Sequence, residues 1–136
     1  MNEQTMYANK VELDKAKKIL LKYKDISYAL LFGSFTRKPH PLSDIDILID
    51  GRLSFSEKVN LASSLELIFK RKVDLVPVEE ASIGLVLKAF SSGYPILIRN
   101  KNKLKKDYFK YFYMYEDSMN LHRLKISRLK RRYSYG

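Results

Sequence analysis

From Asp44 to Asp50 the chain reads Asp-Ile-Asp-Ile-Leu-Ile-Asp. Ile45, Ile47 and Ile49 alternate with Asp44, Asp46, Leu48 and Asp50. A period of two belongs to an extended strand, whose successive side chains point to opposite faces. This segment is therefore expected to be a strand with one branched-aliphatic side and one mostly acidic side. Asp44 and Asp46 then point the same way, roughly 6–7 Å apart along the chain. Two carboxylates held so close repel each other unless something compensates.

The neighbouring segments supply partners for that strand. Ile26–Phe32 is a short apolar run bounded by Asp25 and Gly33, which favours a buried strand. The stretch from Gly33 to Ser43 holds two prolines and several hydroxyl residues, the composition of a turn-rich connection. Lys72–Val78 reads as a third strand, with Pro77 marking an edge position or the strand's end. Tyr94–Ile98 reads as a fourth.

Helices are expected between these strands. Val11–Lys24 has helical spacing. Ser54-Phe55-Ser56-Glu57 has the spacing of a capping box, followed by a helix to about Lys70 with Val59, Leu61, Leu65, Leu67 and Ile68 on its apolar side. Ser82–Phe90 is a short helix ending near Gly93. From about Leu104 a long helix runs to the C-terminus, with Leu104, Tyr108, Tyr111, Tyr115, Met119, His122, Ile126 and Leu129 down one side. The expected class is α/β (α+β), a small mixed sheet flanked by helices plus a long C-terminal helix. Residues 1–100 form the core and residues 101–136 the terminal helix, within one domain.

Charge separates those two parts. The chain of 136 residues carries 26 Lys+Arg against 15 Asp+Glu, a net of +11. Residues 1–100 hold 15 basic and 12 acidic side chains, whereas residues 101–136 hold 11 basic and 3 acidic, with six of the ten tyrosines. A basic, aromatic tail is compatible with RNA. There is no cysteine, which excludes thiolate metal sites and nucleophiles and fits a reducing cytoplasm. No apolar run approaches the ~18 residues of a membrane span. The first residues, Met-Asn-Glu-Gln-Thr, lack a signal-peptide layout, so a cytoplasmic location without membrane contact is expected.

Three features carry chemistry together. The first strand runs into Gly33-Ser34, where glycine permits close approach to the main chain and Ser34 offers an N–H and a hydroxyl to a phosphate. Alone, that dipeptide is an ordinary turn. Asp44 and Asp46 follow after nine residues, a pair suited to a hard cation such as Mg²⁺ and equally to a solvated strand face. Asp74 lies inside Val73-Asp74-Leu75-Val76, where a core-facing carboxylate is costly unless paired; a metal ion shared with Asp44 and Asp46 would resolve this, and so would an outward-facing edge position or pairing with Lys72.

In that order, Leu31-Phe32-Gly33-Ser34-Phe35-Thr36-Arg37, then Ser43-Asp44-Ile45-Asp46-Ile47, then Val73-Asp74-Leu75-Val76 resembles the nucleotidyltransferase superfamily related to DNA polymerase β. The likeness is to its minimal nucleotidyltransferases and spans about residues 11–98. One departure is visible: many members have Gly after the arginine matching Arg37, and this chain has Lys38-Pro39.

The resemblance implies transfer of a nucleoside monophosphate from a triphosphate to a hydroxyl. Asp44 and Asp46 would hold two Mg²⁺ ions; Asp74 would complete the second ion's shell and take the attacking hydroxyl's proton. Gly33 and Ser34 would grip the terminal phosphates, with Arg37 or Lys38 adding a positive contact. Minimal nucleotidyltransferases of this size act as antitoxins, attaching AMP from ATP to a tyrosine of a partner HEPN-domain toxin. This chain has no room for a domain that would hold another acceptor, which suits a partner bringing its own hydroxyl. Transfer to RNA or a small molecule, and non-catalytic binding of a toxin, are the alternatives. His40, His122, Ser43, Glu79 and Glu80 are assigned loop, packing or capping roles.

Overall fold

A computed structural model describes residues 9–32 and 44–134, with side chains to residue 131. Helix α1 (Lys10–Leu21) begins at Asn9, whose side chain accepts from the Glu12 N–H while Glu12 accepts from the Asn9 N–H. This reciprocal pairing satisfies two donors that a helix start leaves open. Strand β1 (Tyr28–Phe32) follows, buried at all five positions. Strand β2 (Ile45–Asp50) precedes α2 (Phe55–Phe69), whose Ser54–Glu57 capping box forms as the sequence predicts. Strand β3 (Val73–Pro77), a 3₁₀ turn (Val78–Glu80), α3 (Ile83–Ser92), β4 (Tyr94–Ile98) and α4 (Lys101–Ser134) complete the order.

The four strands lie in the order β3-β2-β1-β4. Strand β1 is antiparallel to both β2 and β4, while β2 and β3 are parallel and joined by the α2 crossover. Strand β3 is an edge, and Pro77, which lacks an N–H to give the ladder, is its last residue.

Each face of the sheet has its own apolar layer. Ala29, Leu31, Ile45, Ile47 and Ile49 pack with Leu13, Leu20, Leu61 and Leu65 from α1 and α2. Tyr28, Leu30, Phe32 and Leu48 pack with Val86 and Ala89 of α3 and Tyr111 of α4. The isoleucine row of β2 is thus covered by one pair of helices. Its other row is acidic at the two ends with Leu48 buried between them.

Two apolar stripes differ from expectation. On α2 the buried residues are Leu61, Leu65 and Phe69, one per turn, whereas Val59 is 46% exposed and Leu67 82% exposed. At 100° per residue, Leu67 stands on the side opposite Leu65. On α4 only the first turns pack: Leu104 is half-buried, Tyr111 and Asp107 are buried, and Tyr108 is largely exposed. Met119 is half-buried as the stripe predicts, but Tyr115, His122, Ile126 and Leu129 are exposed because the body of the protein ends beneath them. Among the described residues no helix is long and apolar enough to cross a membrane.

The end of α1 is fixed by a distant cation. Arg99, just after β4, donates from Nη1 to the carbonyls of Tyr23 and Lys24 at 2.9 and 2.6 Å, and from Nη2 to that of Leu21 at 2.8 Å. A guanidinium there satisfies acceptors left open by the helix end and suits the negative end of its dipole. Arg99→Ala is expected to lower stability by about 1–2 kcal/mol in urea unfolding. An unchanged midpoint would show that water replaces the clamp without loss.

Candidate active site

The site is set by backbone register. The Ile45 N–H donates to the Lys72 carbonyl at 2.8 Å, pinning the start of β2 to the residue before β3. From that bond the pairing proceeds Ile45 with Val73 and Asp46 with Asp74. The Val73 N–H also donates to Oε1 of Glu66 on α2 at 3.3 Å, fixing the start of β3 against the crossover helix. Across the sheet Asp46 pairs with Phe32, the last residue of β1. Adjacent strands are about 4.8 Å apart, so Asp46 and Asp74 project side by side at the sheet end where β1 delivers the chain to Gly33.

The three aspartates are not equivalent. Asp44, one residue before β2, is exposed; Asp46 is half-buried; Asp74, on the edge strand, is exposed. Asp74 therefore does not face a core, and the burial cost that an inward carboxylate would carry does not arise. Burial, followed by the charges of Asp74 and Asp44, raises the Asp46 pKa above its ordinary 3.8. Desolvation and like charge both disfavour the ionised form. Only the like-charge part of that shift, from Asp74 and Asp44, reflects a negative potential that a cation would relieve.

Such a donor set suits a divalent cation. Carboxylate oxygens are the ligands Mg²⁺ takes, and a cation between the three groups would offset the repulsion that loads Asp46. Among the described residues, no three His, Cys, Asp or Glu side chains are drawn together into a finished cage. Gly33, Ser34 and Arg37, the expected phosphate-gripping residues, lie outside the described residues, as do Lys38, His40 and Ser43.

The acidic row of β2 serves a second purpose at its far end. Asp50 lies 3.4 Å from Nζ of Lys103 on α4, and Lys103 donates to Oδ2 of Asp107 at 2.6 Å. The Tyr28 hydroxyl donates to the same oxygen at 2.7 Å. This network ties α4 to β1 and β2, and sequence reasoning missed it. The available signal was Lys103–Asp107 at a four-residue spacing, with Asp107 falling between Leu104 and Tyr111. A cavity of about 620 Å³ also lies at that end of the sheet, lined by Arg52, Phe55, Lys58, Pro77 and Glu79 among others. Its charges are mixed, and Lys58 stands 3.9 Å from Glu80. None of the three carboxylates lines it.

Comparison with known proteins agrees with this geometry. The family model described as "Polymerase beta, Nucleotidyltransferase" matches residues 14–102. No curated protein matches the chain. Among solved structures, the fold is similar to a chain of a toxin–antitoxin MntA–HepT crystal structure, with TM-score 0.68 and 22% identity over 89% of this chain and 98% of that one. It is also similar to a chain in a structure of a tri-AMPylated Shewanella oneidensis HEPN toxin in complex with MNT antitoxin, with TM-score 0.67 and 23% identity over 88% and 96% of the two chains. A third, from a toxin–antitoxin structure with AMP-PNP, has TM-score 0.68 and 24% identity over 86% and 97%. With its strand order, its paired Asp46 and Asp74, and a family match that covers the whole sheet, the chain belongs to the polymerase beta nucleotidyltransferase family.

Proposed function

We propose that this protein transfers AMP from ATP to a tyrosine hydroxyl of a partner HEPN-domain toxin, and so acts as an antitoxin in the cytoplasm. The observation that carries the reading is the register that sets Asp46 beside Asp74, with Asp44 just ahead of them. The solved structures similar in fold, which include an AMPylated HEPN toxin complex and one with AMP-PNP, support the choice of acceptor and nucleotide.

In this reading Asp44, Asp46 and Asp74 would hold two Mg²⁺ ions, and Gly33, Ser34 and Arg37 would hold the terminal phosphates. Cations held there would supply positive charge to offset that of the triphosphate and the departing pyrophosphate. The tyrosine oxygen attacks the α-phosphorus, the bond to the β-phosphate oxygen breaks, and pyrophosphate leaves. Asp74 takes the hydroxyl proton in this reading, which its exposure at the sheet edge supports. Asp46 is the inner ligand, a role supported by its half-buried position between β1 and β3.

The test is incubation with ATP labelled at the α-phosphate, Mg²⁺, and either a HEPN-domain protein or bulk RNA as acceptor. Label is expected on a tyrosine of the protein and to fall at least about a thousand-fold with Asp44→Asn. Label on RNA alone would replace the protein acceptor. Neutralisation of the toxin by Asp44→Asn without any labelling would leave only contact binding.

A further inference from the structure

The face of α4 that packs on the sheet does not stop where the sheet stops. Leu104, Asp107 and Tyr111 are followed at steps of three and four by Tyr115, Ser118, His122, Ile126 and Leu129. The helix has 34 residues, about 50 Å of length, and past its first three turns only Met119 among the described residues is half-buried. Beyond them Leu121 is 62% exposed and Leu129 50% exposed. Where α4 passes the start of α3, a groove of about 490 Å³ opens between Ile83 and the α4 residues Met114, Asp117, Ser118, Leu121, His122 and Lys125, so its charges are mixed and the basic excess lies beyond it.

Charge identifies what fits this seam. From Ser118 to Ser134 the helix carries six basic residues, Arg123, Lys125, Arg128, Lys130, Arg131 and Arg132, and no acidic one. A second copy in parallel would lay six cations against six. An antiparallel copy centred on these same residues would likewise set the basic segment against itself. RNA would use the cations but gain little from exposed Leu121 and Leu129. A lipid surface is flat, and the groove at Ile83 asks for a projecting side chain. An apolar helix with acidic flanks meets every requirement.

We propose that the distal half of α4 is the docking seam for the protein carrying the acceptor hydroxyl, and that it receives from that protein an amphipathic helix with acidic flanks. This rests on the transfer reading for the identity of the partner and not for the existence of the seam. The seam lies on a different helix from the strand ends that carry Asp44, Asp46 and Asp74, so docking and chemistry are separable by substitution.

The test uses the full chain and its variant Leu121→Glu/Leu129→Glu, whose replaced side chains are exposed, with equal melting temperatures as the control for folding. A fluorescent synthetic helix of about 24 residues, with a leucine stripe and glutamate flanks, is expected to bind the wild type with Kd on the order of 10 µM. The variant is expected to lose at least about ten-fold of that affinity, and a lysine-flanked helix to show no binding. With a HEPN-domain acceptor, the variant's KM is expected to rise about 30-fold while kcat and AMP-PNP affinity stay unchanged. Unchanged peptide binding in the variant would overturn the proposal. So would tighter binding of the wild type to phosphatidylglycerol vesicles or poly(U), or micromolar self-association lost in the variant. Peptide docking without any label transfer would retain the seam and remove the transferase partner; transfer with an unaltered KM would do the reverse.

Discussion

Replacing Asp46 by Asn is expected to abolish transfer and to stabilise the protein at the same time. The loss of activity follows from removing the inner carboxylate of the site, and should be at least about a thousand-fold in kcat. The gain follows from electrostatics. Burial first, then Asp74 and Asp44, raise the Asp46 pKa in the folded protein. The folded state therefore holds that proton more tightly than the unfolded state does. Stability falls as pH rises from the unfolded value through the raised one, and it stays reduced near neutral pH. Asn keeps the shape and removes the charge. Because Asp46 is only half-buried, solvent screening limits the gain to about 0.5 kcal/mol, or about 2 °C in Tm, measured in EDTA near neutral pH. A variant that loses activity and melts lower would point to damaged folding. The same titration predicts an acid limb in the rate, since protonated Asp46 is a poor ligand.

The second large effect is at the other end of the sheet. Asp107 is only 5% exposed, and its Oδ2 accepts from both Tyr28 and Lys103. Burial first, and then the hydrogen bond to Asp107, raise the Tyr28 phenol far above its ordinary range, so it remains a donor wherever the protein is studied. Burial alone would lower the Lys103 ammonium, but the bond to Asp107 and the charge of Asp50 outweigh it and leave its pKa raised. Asp107→Ala strands the Tyr28 hydroxyl in the core and leaves Lys103 only its longer contact with Asp50. The expected cost is about 3 kcal/mol, close to 10 °C in Tm. Asp107→Asn, which keeps an acceptor, should cost roughly half as much. Since a raised lysine pKa stabilises up to its unfolded value and the benefit is lost only above it, the wild-type melting point should fall through this pair only in strongly alkaline solution. A melting point within a degree or two of wild type for Asp107→Ala would mean that α4 is held by its apolar contacts alone.

Most of the fold is legible in the sequence because the strands are short, apolar and well punctuated. The alternation of Ile45, Ile47 and Ile49 predicts the sidedness of β2, and Ser54–Glu57 predicts the start of α2 to the residue. The candidate site is legible as residue types in order, but not as geometry. Nothing in a crossover's length says that Asp46 stands beside Asp74; the Ile45–Lys72 bond does. Leu67 misleads only when it is counted by residue type, because its position two residues after Leu65 already turns it to the opposite, exposed side of the helix. Asp107 is hidden because an acid in a mostly basic helix reads as a solvent-facing charge, and its partner Tyr28 lies 79 residues away. The long stripe of α4 is correctly periodic, yet periodicity cannot tell a face covered by its own domain from one left open.

The central claim is that Asp46, with Asp74 and Asp44, forms a cation-dependent nucleotide site. Thermal melting of the full chain with AMP-PNP tests it without any acceptor. With saturating AMP-PNP and Mg²⁺ together, the wild type should gain about 2–3 kcal/mol of stability, a rise of several degrees in Tm. Neither component alone should do so, and Asp46→Asn should show no rise. An equal rise in EDTA, or an equal rise in Asp46→Asn, would contradict the account.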